Sequence, residues 1–143
     1  MKGLNCINNI MLRKQEIDDI MMIGKFMGFS NELFVYQTQR DPEPLFIYRS
    51  KDEDGSTDCD NEINIYDPSS DWNQLMEVYV KIDRLGYNPT IDPWGITFIE
   101  YLSGEEKEVL VYENDREYKK ITNYFYAVVN FIEWFNGLKV SNP

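Results

Sequence analysis

The chain has 143 residues, of which 43% are hydrophobic and 15% aromatic, enough apolar surface to bury a core and too much for a disordered chain. Its formal charge of −11, from 25 acidic against 14 basic residues, opposes non-specific attraction to nucleic-acid backbones or anionic lipid, and no apolar run approaches the ~20 residues of a membrane span. Histidine is absent, which removes His triads, His acid–base catalysis and His-ligated zinc, and the two cysteines, Cys6 and Cys59, form no CxxC pair.

The first periodic segment, residues 12–29, places Ile17, Ile20, Met21, Gly24 and Met27 on one helix face, with Gly28 as its stop. Gly24 on that face gives up helix stability and admits a close neighbour. ELFVYQTQ (32–39) and PLFIYRS (44–50) read as the strands of a hairpin turned by RDPEP. KDEDGSTDCDNE (51–62) fails as an EF-hand loop. Counted from Asp52, position six is Thr57 and position twelve Ile63; counted from Asp54, they are Cys59 and Ile65. A solvated acidic loop is the expectation, followed by a short edge strand at INIY (63–66).

SSDWNQLMEVYVKIDRLGY (69–87) is a helix with Asp71 and Gln74 as a capping-box pair and Gly86 as its stop. Trp72, Leu75, Met76, Tyr79 and Ile82 form its apolar stripe, with Trp72 expected as a core anchor. Residues 87–113 read as a three-stranded meander. Ile96, Phe98 and Leu102 are expected on one face, and Thr97, Ile99 and Tyr101 on the other. Asp92-Pro93-Trp94-Gly95 has the residue preferences of a type I turn, which puts Trp94 at a hairpin tip. The favoured expectation folds Trp94 back onto the sheet; the alternative makes it an exposed contact residue.

The last helix is expected over about residues 115–136, capped by Asn114 or Asp115 and ended by Gly137. One stripe on it is Tyr118, Ile121, Phe125, Val128, Ile132 and Phe135; a second is Tyr124, Ala127, Phe131, Trp134 and Leu138. Together they span an arc of about 200°, more than one sheet requires. The second stripe is therefore a candidate interface, with another helix of the same domain favoured as its cover and a symmetry mate as the alternative. The expected fold class is α+β, in the order α-β-β-α-β-β-β-α. It would have one mostly antiparallel sheet of about five strands and three helices, open to coverage on both faces as an α/β/α sandwich. It is read as a single domain over 1–143, with flexible segments at 1–9, 51–62 and 138–143.

IGKFMGF (23–29), YDPSSDWNQLMEVYVKIDRLGY (66–87) and AVVNFIEWFN (127–136) together resemble a group of small proteins carried by phages and prophages of anaerobic gut bacteria. These share an F-M-G helix end, an S-D-W-x-x-L-M helix start and a late A-V-V-x-F-I-x-W-x-N helix. More loosely, the chain is similar to the phage α/β/α-sandwich domain family. The matching segments cover about a quarter of the chain and sit on helix faces and caps. The resemblance implies a shared fold and a mobile-element origin, and carries no catalytic residue.

Glu100 and the Glu105, Glu106, Glu108 group are the candidate catalytic acids; Glu105 and Glu106 are better explained as solvated charge in a turn, and Glu100 by a place near the sheet edge. No phosphate-binding glycine loop or nucleophile elbow is present. The expectation is a non-enzymatic binding protein with no cofactor, no metal and no catalytic residue, in the cytoplasm of an infected host cell. By analogy of origin it would act in counter-defence, by blocking a host immune protein or sequestering a small nucleotide signal. For a nucleotide, the available cations are Arg40, Arg49, Lys81, Arg84, Arg116, Lys119 and Lys120. The alternative is a structural or regulatory phage component that assembles as a homo-oligomer through its C-terminal helix. A small carboxylate enzyme ranks last.

Overall fold

The computed structural model describes residues 14–36, 46–50 and 64–141. The elements run α1 (Lys14–Met27), β1 (Leu33–Tyr36), β2 (Phe46–Arg49), β3 (Asn64–Ile65), α2 (Trp72–Arg84), β4 (Tyr87–Asp92), β5 (Gly95–Glu100), β6 (Lys107–Glu113) and α3 (Lys120–Ser141). This is the α+β class in the expected order, with β3 as the short edge strand. Among the described residues, the strands form two antiparallel three-stranded sheets rather than one, β1-β2-β3 and β4-β5-β6. The span 1–143 resolves into two units, Met1–Asp67 and Pro68–Pro143.

In the first unit, α1 buries Ile17, Ile20 and Ile23. It ends in a Schellman motif: Gly28 has φ 88° and its N–H donates to the Lys25 carbonyl, while the Phe29 N–H donates to the Gly24 carbonyl at 2.7 Å. Gly24 does admit a neighbour, since the Leu33 side chain stands where a Cβ would project. β1 pairs with β2 in the register Leu33↔Arg49 to Tyr36↔Phe46, as the hairpin reading requires. The Arg49 guanidinium lies 3.7 Å from the centre of the Phe29 ring and pairs with Glu32 at 3.3 Å. The RDPEP turn, the acidic loop 51–62, the segment 1–9, both cysteines and Arg40 lie outside the described residues.

In the second unit, Asp71 caps α2 by accepting from the N–H groups of Asn73 at 2.9 Å and Gln74 at 3.2 Å. The helix buries Leu75, Val78, Tyr79 and Ile82. That stripe is rotated from the expected one. Met76 is exposed, and Trp72 is 41% exposed, its ring in a T-shaped contact with Tyr124 at 5.2 Å, so it is no core anchor. A residue in the first turn overhangs the end of the packed face, where little lies above it to bury a large ring.

β4, β5 and β6 form the expected meander, with Val109 as an extra residue where the β5–β6 register shifts between Phe98 and Ile99. Ile96 and Phe98 are fully buried on one face, and both helices pack there: Phe98 stacks with Tyr79 of α2 and meets Phe131 of α3 at 4.8 Å. Leu102 does not join them. β5 ends at Glu100, the alternation ends with it, and Leu102 is 70% exposed.

α3 starts five residues later than expected and runs beyond Gly137. Asp115 initiates a turn instead of the helix: its carboxylate accepts from the Glu117 N–H and its carbonyl from the Tyr118 N–H. Gly137 is not among the positive-φ glycines, so nothing in its backbone stops the helix, which continues through Leu138 to Ser141. Among the described residues, no helix is long and apolar enough to cross a membrane.

Candidate functional site

Of the two surfaces singled out in the sequence, α3 is occupied by its own fold. Tyr124, Ala127 and Phe131 are buried, and only Trp134 and Leu138 of that stripe are half-buried. The wide arc is consumed by α2 and the sheet together: Tyr124 meets Tyr79 and Trp72 of α2, while Phe131 meets Phe98 of β5 and Tyr87 of β4. This is the same-domain cover, and Tyr124, Ala127 and Phe131 are buried beneath it.

The Tyr79 hydroxyl donates to the Tyr124 carbonyl at 2.7 Å. Burial, reinforced by Tyr124 and Tyr112, pushes its pKa far above the ordinary value, so it stays a neutral phenol and a structural one. The fold thus favours the protonated form. Above about pH 10 the unfolded chain releases this proton and the folded chain keeps it, so stability falls as pH rises. Chemical denaturation midpoints between about pH 9 and 11 should drop more steeply for the wild type than for Tyr79→Phe.

Trp94 occupies the other surface, and here the fold-back expectation fails: it is 77% exposed. The hairpin register pairs Asp92 with Gly95, leaving Pro93 and Trp94 as a two-residue loop. The Asp92 carboxylate accepts from the N–H groups of Trp94 at 2.8 Å and Gly95 at 2.9 Å. From β6's end, the Asn114 N–H donates to the Trp94 carbonyl at 2.9 Å. A large apolar side chain therefore projects from a backbone fixed on both sides. Ile91, just before the turn, is exposed as well.

The acidic candidates do not converge on one another. Glu100 is half-buried and opposite Tyr87 and Lys107, whereas Glu105, Glu106 and Glu108 are exposed. Among the described residues, no group of His, Cys, Asp or Glu is placed to hold a metal ion. Of the described cations, Arg49 is engaged with Glu32 and Phe29, and the Lys120 ammonium lies 5.8 Å from the Tyr124 ring.

Sequence reasoning missed Asn123. It is 6% exposed and binds the chain between β6 and α3. Its one visible signal is a polar residue at the margin of a wide apolar helical arc. No protein-family model, curated protein or solved structure matches the chain. What the fold and this surface define is an α+β chain with an aromatic residue held out at a hairpin tip.

Proposed function

We propose that the chain is a non-enzymatic binding protein whose contact element is the β4–β5 hairpin tip carrying Trp94. The observation that carries this reading is the 77% exposure of Trp94 on a hydrogen-bonded turn. Tryptophan is enriched among residues that dominate binding energy, because it buries a large rigid surface at low entropic cost. The resemblance to phage-borne proteins supports counter-defence as the setting, with a host protein as the target. A protruding aromatic suits a pocket on a partner; a nucleotide signal would instead need an enclosing site with converging cations. Assembly through the second α3 stripe loses its support, because Tyr124, Ala127 and Phe131 are buried in the chain's own core.

The test places a photoreactive amino acid at position 94, or at exposed Glu105 as the control, in cells of a phage-bearing host. One discrete adduct from position 94 is expected, suppressed by excess wild-type protein and not by Trp94→Ala, whose far-UV spectrum and melting should match the wild type. Equal labelling from positions 94 and 105, or suppression by Trp94→Ala, would remove the tip as the contact element.

A further inference from the structure

The Trp94 turn is not self-supporting. Pro93, its first loop residue, fixes φ at about −65°, whereas the primed turns that match the twist of a two-residue hairpin need positive φ there. Asp92 supplies support from within the turn, as described above. The rest comes from Asn114, whose N–H holds the Trp94 carbonyl at 2.9 Å and whose side-chain amide reaches the Pro93 carbonyl at 3.5 Å. The direction of Trp94 therefore depends on what fixes Asn114.

Asn123 fixes it from both sides. The Tyr112 hydroxyl, two residues before Asn114, donates to Asn123 Oδ1 at 3.0 Å. The Asp115 N–H, one residue after it, donates to the same oxygen at 2.9 Å, and Asn123 Nδ2 donates back to the Asp115 carbonyl at 3.0 Å. The amide thus imitates a neighbouring strand at the point where β6 has ended. It does so from α3, with Tyr124 and Phe125 buried beside it in the sequence. We infer that Asn123 is the positioning residue of the Trp94 contact element, a role that rests on the binding reading above. An exposed anchor that is already ordered loses less freedom on association, so a buried clamp behind it raises affinity without touching the partner.

The test needs no partner. Trp72→Phe with Trp134→Phe leaves Trp94 as the sole tryptophan of three. In that background, Asn123→Ala should lower Trp94 fluorescence anisotropy and speed amide exchange at Asn114 by roughly tenfold more than at core amides of α2. Asn123→Asp keeps the acceptor for Tyr112 and Asp115 but sets a second oxygen against the Asp115 carbonyl, so it should recover only part of the anisotropy. Ile82→Val, which weakens the same unit away from the clamp, should leave Trp94 anisotropy unchanged. If Asn123→Ala does not fold, Asn123→Asp and Tyr112→Phe each remove one bond and should each speed Asn114 exchange. The inference is overturned if the Asn123 and Tyr112 variants that fold speed that exchange no more than Ile82→Val at equal loss of stability. That result would leave Trp94 as a contact residue, whereas failed cross-linking at position 94 would leave the clamp without this use.

Discussion

Phe131→Ala should destabilise the second unit by about 3–5 kcal/mol, read as a fall in the urea midpoint. The ring is fully buried and meets Phe98 at 4.8 Å, Tyr87 at 5.3 Å, Trp134 at 5.7 Å and Phe135 at 5.9 Å, so its removal opens a cavity among four aromatic neighbours. Rigid rings of that size collapse poorly into a void, which argues for the upper part of the range. Against a total of roughly 5–15 kcal/mol for a domain, the loss is large. Phe135→Ala, at a half-buried position three residues past the fully buried Phe131–Ile132 pair, should cost less than half as much. Should Phe131→Ala leave stability unchanged and alter only native mass, the stripe would be a subunit interface after all.

Gly95→Ala should destabilise the meander by about 1–3 kcal/mol, opposite to the small gain that Gly→Ala ordinarily brings to a strand by reducing unfolded-state entropy. Gly95 lies opposite Glu113, and a Cβ there would run into the Tyr112 carbonyl oxygen and the backbone of Glu113. These are backbone atoms, which cannot turn aside as a side chain does. β5 and β6 would have to separate at the tip, stretching the Asn114–Trp94 hydrogen bond. Faster exchange at the Asn114 amide together with a lower melting temperature is the expected signature. A more stable variant would mean that the strands are not held this close.

What could be read from the residues was local. Asp71 caps α2 because an aspartate carboxylate reaches N–H groups two and three residues on, and Gly28 and Gly86 stop helices because both adopt positive φ. The start of α3 was misplaced because Asp115 has a cap's chemistry but spends it on a turn, and the partner that decides this, Asn123, is eight residues further on. The division into two sheets was not legible, since alternation states which face a strand buries but not which strand lies beside it. Trp72 and Trp94 went the wrong way for one reason. Apolar character says that a side chain gains from burial, while its place at a helix start or a hairpin tip decides whether anything is near enough to bury it.

Each strand in the two sheets pairs only with strands next to it in sequence order, β1-β2-β3 and β4-β5-β6. No sheet has to wait for a distant segment to be synthesised before its ladder can close. Folding speed tracks the sequence separation of the contacts that must form, so both sheets belong to the rapidly forming kind. In the second, β4, β5 and β6 can zip as the chain leaves the ribosome. α3, which follows them in the chain, then closes over an apolar face already assembled to receive it.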